Sequence, residues 1–150
     1  MGLAIHHAGI TVSDLDRAIA FYRDGIGLEV QMVFERDDET IARVVGMPGA
    51  RLRIAFMRTG DETTRLELLQ YLDPTGQPLS FRSNQPGSGH VCFRVDDVVA
   101  LAERLRAAGA TFISDGPVEL LQGPNAGAKV MYLRDPDGAA VEISQPPSGA

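Results

Sequence analysis

The 150-residue sequence predicts an α+β protein of two paired βαβββ modules, forming one curved mixed sheet around a pocket. Three observations predict it. A run of strand, helix, glycine and strands in the first half starts again after a Pro/Gly/Ser-rich stretch. Each half opens with a histidine on its first strand, His7 and His90, and closes with a glutamate on its last, Glu67 and Glu142. The spacings agree: Glu67 follows His7 by 60 residues and Glu142 follows His90 by 52, the surplus matching an extra segment at 37–46.

Each element has its own justification. Ile5 to Val12 carries β-branched residues and apolar alternation, which reads as a strand. Ser13 is placed to cap a helix whose first turn holds Asp14 and Asp16. Leu15, Ala18, Ile19 and Tyr22 form its apolar face, and Gly25 and Gly27 are its stop signals. Leu28 to Phe34 is a second strand, and 37–46 a short helix closed by Pro48 and Gly49. Leu52 to Arg58 and Arg65 to Tyr71 alternate as strands around a turn at Gly60 and Asp61. The stretch 73–89 is a linker by composition. His90 to Val95 then reads as a strand, followed by a helix with Asp96 and Asp97 at its mouth and an apolar face of Val98, Leu101, Ala102 and Leu105. Thr111 to Ser114 is a short strand and 115–127 a loop. Ala128 to Leu133 and Ala139 to Ser144 are strands joined by a tight Asp135-Pro-Asp-Gly138 turn.

One domain over 1–150 is expected, with module 1 at about 4–72, a linker at about 73–88 and module 2 at about 89–145. The composition, 44% hydrophobic and 23% charged, is that of a folded soluble protein. The net charge is −6 and the 14 basic residues are scattered, so neither nucleic acid nor a membrane surface is an expected partner. No apolar run is long enough to span a bilayer, and the N-terminus lacks a secretory pattern. The lone cysteine, Cys92, excludes an internal disulfide, so a cytoplasmic location is expected. Cys92 itself reads as a small core residue.

The chemistry rests on the matched pairs. Two imidazoles and two carboxylates, His7, Glu67, His90 and Glu142, suit a divalent transition metal and leave room for a substrate with two oxygens. Glu67 and Glu142 lie between apolar neighbours, where an uncompensated carboxylate is costly. His6 and His7 adjoin on a strand and so face opposite ways; the repeat alignment selects His7 and leaves His6 on the other face as a structural residue.

The segments His7-Ala-Gly-Ile-Thr-Val-Ser-Asp-Leu15, Phe21-Tyr-Arg-Asp24 and Gly27-Leu28 resemble the opening of the vicinal oxygen chelate superfamily. That group includes glyoxalase I, bleomycin-resistance proteins, extradiol dioxygenases, fosfomycin-resistance enzymes and methylmalonyl-CoA epimerase. Gly89-His-Val-Cys-Phe-Arg-Val-Asp-Asp97, then Tyr132-Leu-Arg-Asp-Pro-Asp-Gly138 with Glu142, resemble its second half. The resemblance covers about residues 4–145 and implies a metal held by His7, Glu67, His90 and Glu142.

The ligand set is most similar to that of glyoxalase I. A bleomycin-resistance-type binder, the metal-free alternative, typically lacks such a set. Extradiol dioxygenases, the other alternative, share a tyrosine ten residues before the ligand glutamate, here Tyr132 before Glu142, but use only one glutamate. Methylmalonyl-CoA epimerase has a different second-site histidine pattern and Gln in place of Glu67. The resemblance implies a glyoxalase-like lyase or isomerase that works through an enediolate on a small bidentate oxygen substrate. Glu142 and Glu67 are the expected proton carriers and Tyr132 the substrate-binding residue. The expected cofactor is one divalent ion per site, Ni, Co, Mn, Fe or Zn, and the expected assembly a homodimer.

Overall fold

The computed structural model describes residues 2, 4–60, 64–77 and 82–148. The expected turn residue Asp61 and linker positions 78–81 lie outside the described residues. The chain divides into two compact units, Met1–Pro78 and Leu79–Ala150.

The first unit runs β1 (His7–Thr11), α1 (Leu15–Ala20), β2 (Glu29–Arg36), α2 (Glu39–Val45), β3 (Arg51–Arg58) and β4 (Arg65–Asp73). Its sheet has the order β1-β4-β3-β2, with β1 parallel to β4 and the other pairs antiparallel. One face buries Ala55, Met57, Leu66 and Leu68, and α1 supplies Leu15, Ala18 and Ile19 to the same core. On β3, Leu52 and Ile54 alternate with these and therefore point to the opposite face. There they pack with Ala42 of α2, and Phe34, Phe56, Leu69 and Tyr71 lie against that cluster. The helix predicted at 37–46 is thus a cap on one end of the open face.

The helix ends follow local chemistry. Asp14, one residue beyond the predicted Ser13, caps α1 by accepting from the Arg17 amide at 3.0 Å. A carboxylate and a hydroxyl were both available, and Ser13 instead accepts from the Arg17 guanidinium. Beyond Ala20 the helix continues in π-helical turns over Phe21–Ile26, ending at Gly27 with φ 105°. Tyr22 in that segment is fully buried.

The second unit runs β5 (His90–Arg94), α3 (Val98–Ala107), β6 (Thr111–Phe112), β7 (Val118–Glu119), β8 (Lys129–Arg134) and β9 (Ala140–Gln145). The order β5-β9-β8-β6 repeats that of the first unit, again with the opening strand parallel to the closing one. The far edge of β8 is shared: β6 pairs with Leu133 and Arg134, and β7 with Lys129 and Val130. β7 arises inside the stretch read as loop, because two residues suffice for one rung of pairing. Asp97 caps α3, whose Val98, Leu101, Ala102 and Leu105 are all buried, as their spacing predicts.

A second repeat ties helix to sheet. Gln70, three residues after Glu67, accepts from the Leu15 amide at 3.2 Å and donates to the Ser13 carbonyl at 2.9 Å. Gln145, three residues after Glu142, accepts from the Val98 amide at 3.0 Å. Each glutamine satisfies an unpaired amide at a helix start and fixes that helix against the strand bearing the glutamate. Among the described residues no helix is long and apolar enough to cross a membrane.

Candidate functional site

In the first unit, register sets the geometry. Gly9 on β1 and Phe56 on β3 both stand beside Glu67 on β4. Glu67 lies between buried Leu66 and Leu68, so it projects to the face opposite α1. His7 shares that face with Gly9, two residues on, and its Nε2 lies 3.3 Å from Glu67 Oε2. Gly9 stands directly beside the carboxylate: a Cβ there would be in ordinary contact, 3.5 Å from Glu67 Oε2. The His7 ring meets Phe56 edge-on at 5.8 Å, and Phe56 stacks on Phe34 at 6.2 Å. The pair therefore stands beside an aromatic wall that leads to α2.

In the second unit the same register positions recur with different side chains. Cys92 on β5 and Tyr132 on β8 flank Glu142 on β9. His90 Nε2 lies 2.9 Å from Glu142 Oε2. The Tyr132 hydroxyl donates to that oxygen at 2.7 Å and lies 3.2 Å from His90 Nε2. Burial and the acceptor carboxylate push the Tyr132 phenol up to about 12. Partial shielding of its sulfur from water also raises the Cys92 thiol to about 11, helped by the charge of Glu142 and a hydrogen bond to it. Cys92 is exposed, not the core residue its small apolar character suggested. It faces the same way as Glu142, while Phe93 beside it takes the core position.

The structure thus brings His7 to Glu67, and His90 to both Glu142 and Tyr132. Among the described residues no group of three or more His, Cys, Asp and Glu is close enough to hold an ion. The pairs nonetheless fit such a group by donor chemistry. Two ligands each about 2.1 Å from an ion at a right angle are about 3.0 Å apart. The observed separations of 3.3 and 2.9 Å are of that size. The glutamates are 16% and 17% exposed and the histidines 38% and 45%, so a ligand can reach both pairs.

His6 departs from the sequence expectation. Regular strand begins only at His7, so strict alternation does not bind its neighbour. The His6 ring turns toward His7, with the two Nδ1 atoms 2.8 Å apart. Arg134 donates to the Gly138 carbonyl at 2.6 Å and braces the Asp-Pro-Asp-Gly turn. Phe56, Cys92 and Arg65, which contacts His6, went unnoticed as site residues. Aligning the repeat strand by strand would have exposed the first two as the neighbours of each glutamate.

Comparison with known proteins agrees with this architecture. Residues 4–143 match the model of the Glyoxalase/Bleomycin resistance protein/Dioxygenase superfamily. The chain belongs to that superfamily. A 2-epi-5-epi-valiolone epimerase from Actinomyces sp. is 34% identical to this superfamily member over 99% of the chain and 82% of the relative. An ethylmalonyl-CoA/methylmalonyl-CoA epimerase from Cereibacter sphaeroides is 29% identical, over 94% of the chain and 96% of the relative. A lactoylglutathione lyase from Haemophilus influenzae is 26% identical over 94% and 91%. Among solved structures, a glyoxalase family protein from Bacillus cereus superposes with a TM-score of 0.86 at 27% identity, covering 99% and 97% of the two chains. The relatives of this superfamily member thus include epimerases and a lactoylglutathione lyase.

Proposed function

We propose that the protein is a divalent-metal-dependent isomerase or lyase of glyoxalase type. It shifts a proton next to a carbonyl in a small substrate that presents two neighbouring oxygens. The observation that carries this is the repeated pairing of an exposed imidazole with a half-buried carboxylate, His7 with Glu67 and His90 with Glu142. Kinship with two epimerases favours inversion at a carbon centre over other outcomes.

The two pairs, from one chain or from two copies in a homodimer, would hold the ion through His7, Glu67, His90 and Glu142. When bound, the ion supplies Lewis acidity that makes the carbon acid beside the carbonyl easier to deprotonate. The protein supplies the proton traffic. Glu142 is the base, taking the proton at Oε2; Glu67, entering the turnover as the protonated partner, returns one from its own Oε2, and the two exchange roles in the reverse direction. Inversion requires removal from one face and return to the other, which two carboxylates on separate strands can divide. Tyr132 stays protonated across the physiological range and so serves as a donor, to Glu142 or to a substrate oxygen. Phe56 and Phe34 offer the apolar surface for the rest of the substrate.

The test is deuterium wash-in. Protein stripped of metal and reloaded with Ni, Co, Mn, Fe or Zn is incubated in heavy water with 2-epi-5-epi-valiolone, methylmalonyl-CoA or lactoylglutathione. Exchange at the carbon next to the carbonyl, followed by NMR, is expected with at least one substrate. Glu142→Gln is expected to lower the rate at least about 100-fold, the usual worth of a general base. Protein that takes up no ion and exchanges no substrate would leave a metal-free binding protein as the better account.

A further inference from the structure

The contact between His6 and His7 carries a direction. An arginine guanidinium can only donate hydrogen bonds. Arg65 Nη1 lies 3.3 Å from His6 Nε2, so that nitrogen must be the acceptor. A neutral His6 then bears its proton on Nδ1, which faces His7 Nδ1 at 2.8 Å. Two neutral imidazoles meeting through like nitrogens need one donor and one acceptor. His6 donates, His7 Nδ1 accepts, and a neutral His7 carries its proton on Nε2. That nitrogen lies 3.3 Å from Glu67 Oε2. Both hydrogen-bonded contacts, Arg65 to His6 and His6 to His7, are satisfied in this one orientation.

It is the orientation that opposes a metal. An ion on His7 Nε2 needs the lone pair there, which moves the proton to Nδ1. His7 must then donate to His6, whose proton passes to Nε2, directly against the Arg65 guanidinium. We infer that His6 is a positioning residue for His7, and that Arg65 acts through it to favour the tautomer that excludes the ion. The second unit differs at that position: where Arg65 pairs with His7 in the strand register, Ala140 pairs with His90. The first half is therefore the guarded half of the ligand set. This inference rests on the assignment of His7 as a ligand, and goes beyond it by naming what governs its availability.

The test uses the full chain with zinc as probe, its affinity measured by competition with a chelator. Arg65→Gln can turn its amide oxygen toward His6, accepting where arginine could only donate. It is expected to bind zinc roughly tenfold more tightly than wild type, within the 10–100-fold range of second-layer effects on metal sites. The same change in a His6→Phe background is expected to alter affinity less than about twofold, since the relay is gone. An equal gain in both backgrounds would show Arg65 acting by charge alone and would overturn the inference, as would no gain at all. The second measurement needs no metal. Long-range proton–nitrogen spectra of histidine-labelled, metal-free protein are expected to show the His7 proton on Nε2 in wild type and on Nδ1 in Arg65→Gln. A proton on Nδ1 in wild type overturns the relay. A wild type that binds no zinc while showing Nε2 protonation instead removes the metal reading and leaves the relay standing.

Discussion

Cys92 and Tyr132 occupy the two strands beside Glu142, and each has its proton held by that environment. For Cys92 the consequence is low reactivity despite exposure, since partial shielding of its sulfur and the carboxylate lift the thiol to about 11. Thiolate is scarce near neutral pH, while the remaining thiolate is more nucleophilic; the first effect dominates. Alkylation by iodoacetamide near pH 8 is expected to run roughly tenfold slower than with free cysteine. Glu142→Gln is expected to speed it by removing two of the three causes. Tyr132 carries a pH signature whose sign is fixed. Its folded value of about 12 lies above the ordinary tyrosine value of about 10. The folded state holds this proton more tightly, so its contribution is complete below about pH 10 and is lost as pH rises toward 12. Denaturant titrations across that window are expected to show a steeper loss of stability in wild type than in Tyr132→Phe. None of this was visible in the sequence, where Cys92 reads as a core residue. Thiol and carboxylate lie 50 residues apart, and only the β5–β9 register makes them neighbours.

Most of the elements were legible because their signals are local. The apolar face of α3 and the Asp97 cap follow from spacing and side-chain chemistry within a few residues, whereas α2 stops at Gly46, ahead of the expected Pro48 and Gly49. The π-helical turns at Phe21–Ile26 were not legible, since the apolar spacing that marks a helix does not distinguish π from α turns. His6 failed for the opposite reason: the alternation rule was applied one residue beyond the strand. The glutamine ties were also missed, although Gln70 and Gln145 keep the same offset from their glutamates. Each satisfies a helix-start amide that is partly shielded from water. Gln70→Ala and Gln145→Ala are each expected to cost about 1–2 kcal/mol by urea unfolding, the penalty for stranding such a donor. If the ties also aim the glutamates, both variants weaken zinc binding, whereas an alanine at exposed Val44 on α2 changes neither.

At the scale of the whole molecule, the two-unit repeat was the most informative sequence feature, because two copies of one pattern constrain each other. It placed all four paired residues on the correct strands and gave both sheets the same order. On the proposed reading, in which an ion is held by the paired residues, ligand binding is linked to folding. Stripping metal with a chelator is expected to lower the thermal midpoint, and restoring it at about 100 times its dissociation constant to return about 2.7 kcal/mol. Glu142→Gln is expected to show little response to either treatment. The closing of each sheet by its first and last strands has a further consequence, for a chain still being made. His7 leaves the ribosome long before Glu67, and β1 has no partner in its sheet until β4 has emerged. At about 5–20 residues per second, 60 residues take several seconds to translate. Through that interval the nascent chain displays a histidine pair with no carboxylate opposite. Neither half can bring its histidine and glutamate together before its last strand is synthesised, so under the proposed function an incomplete chain cannot capture the ion.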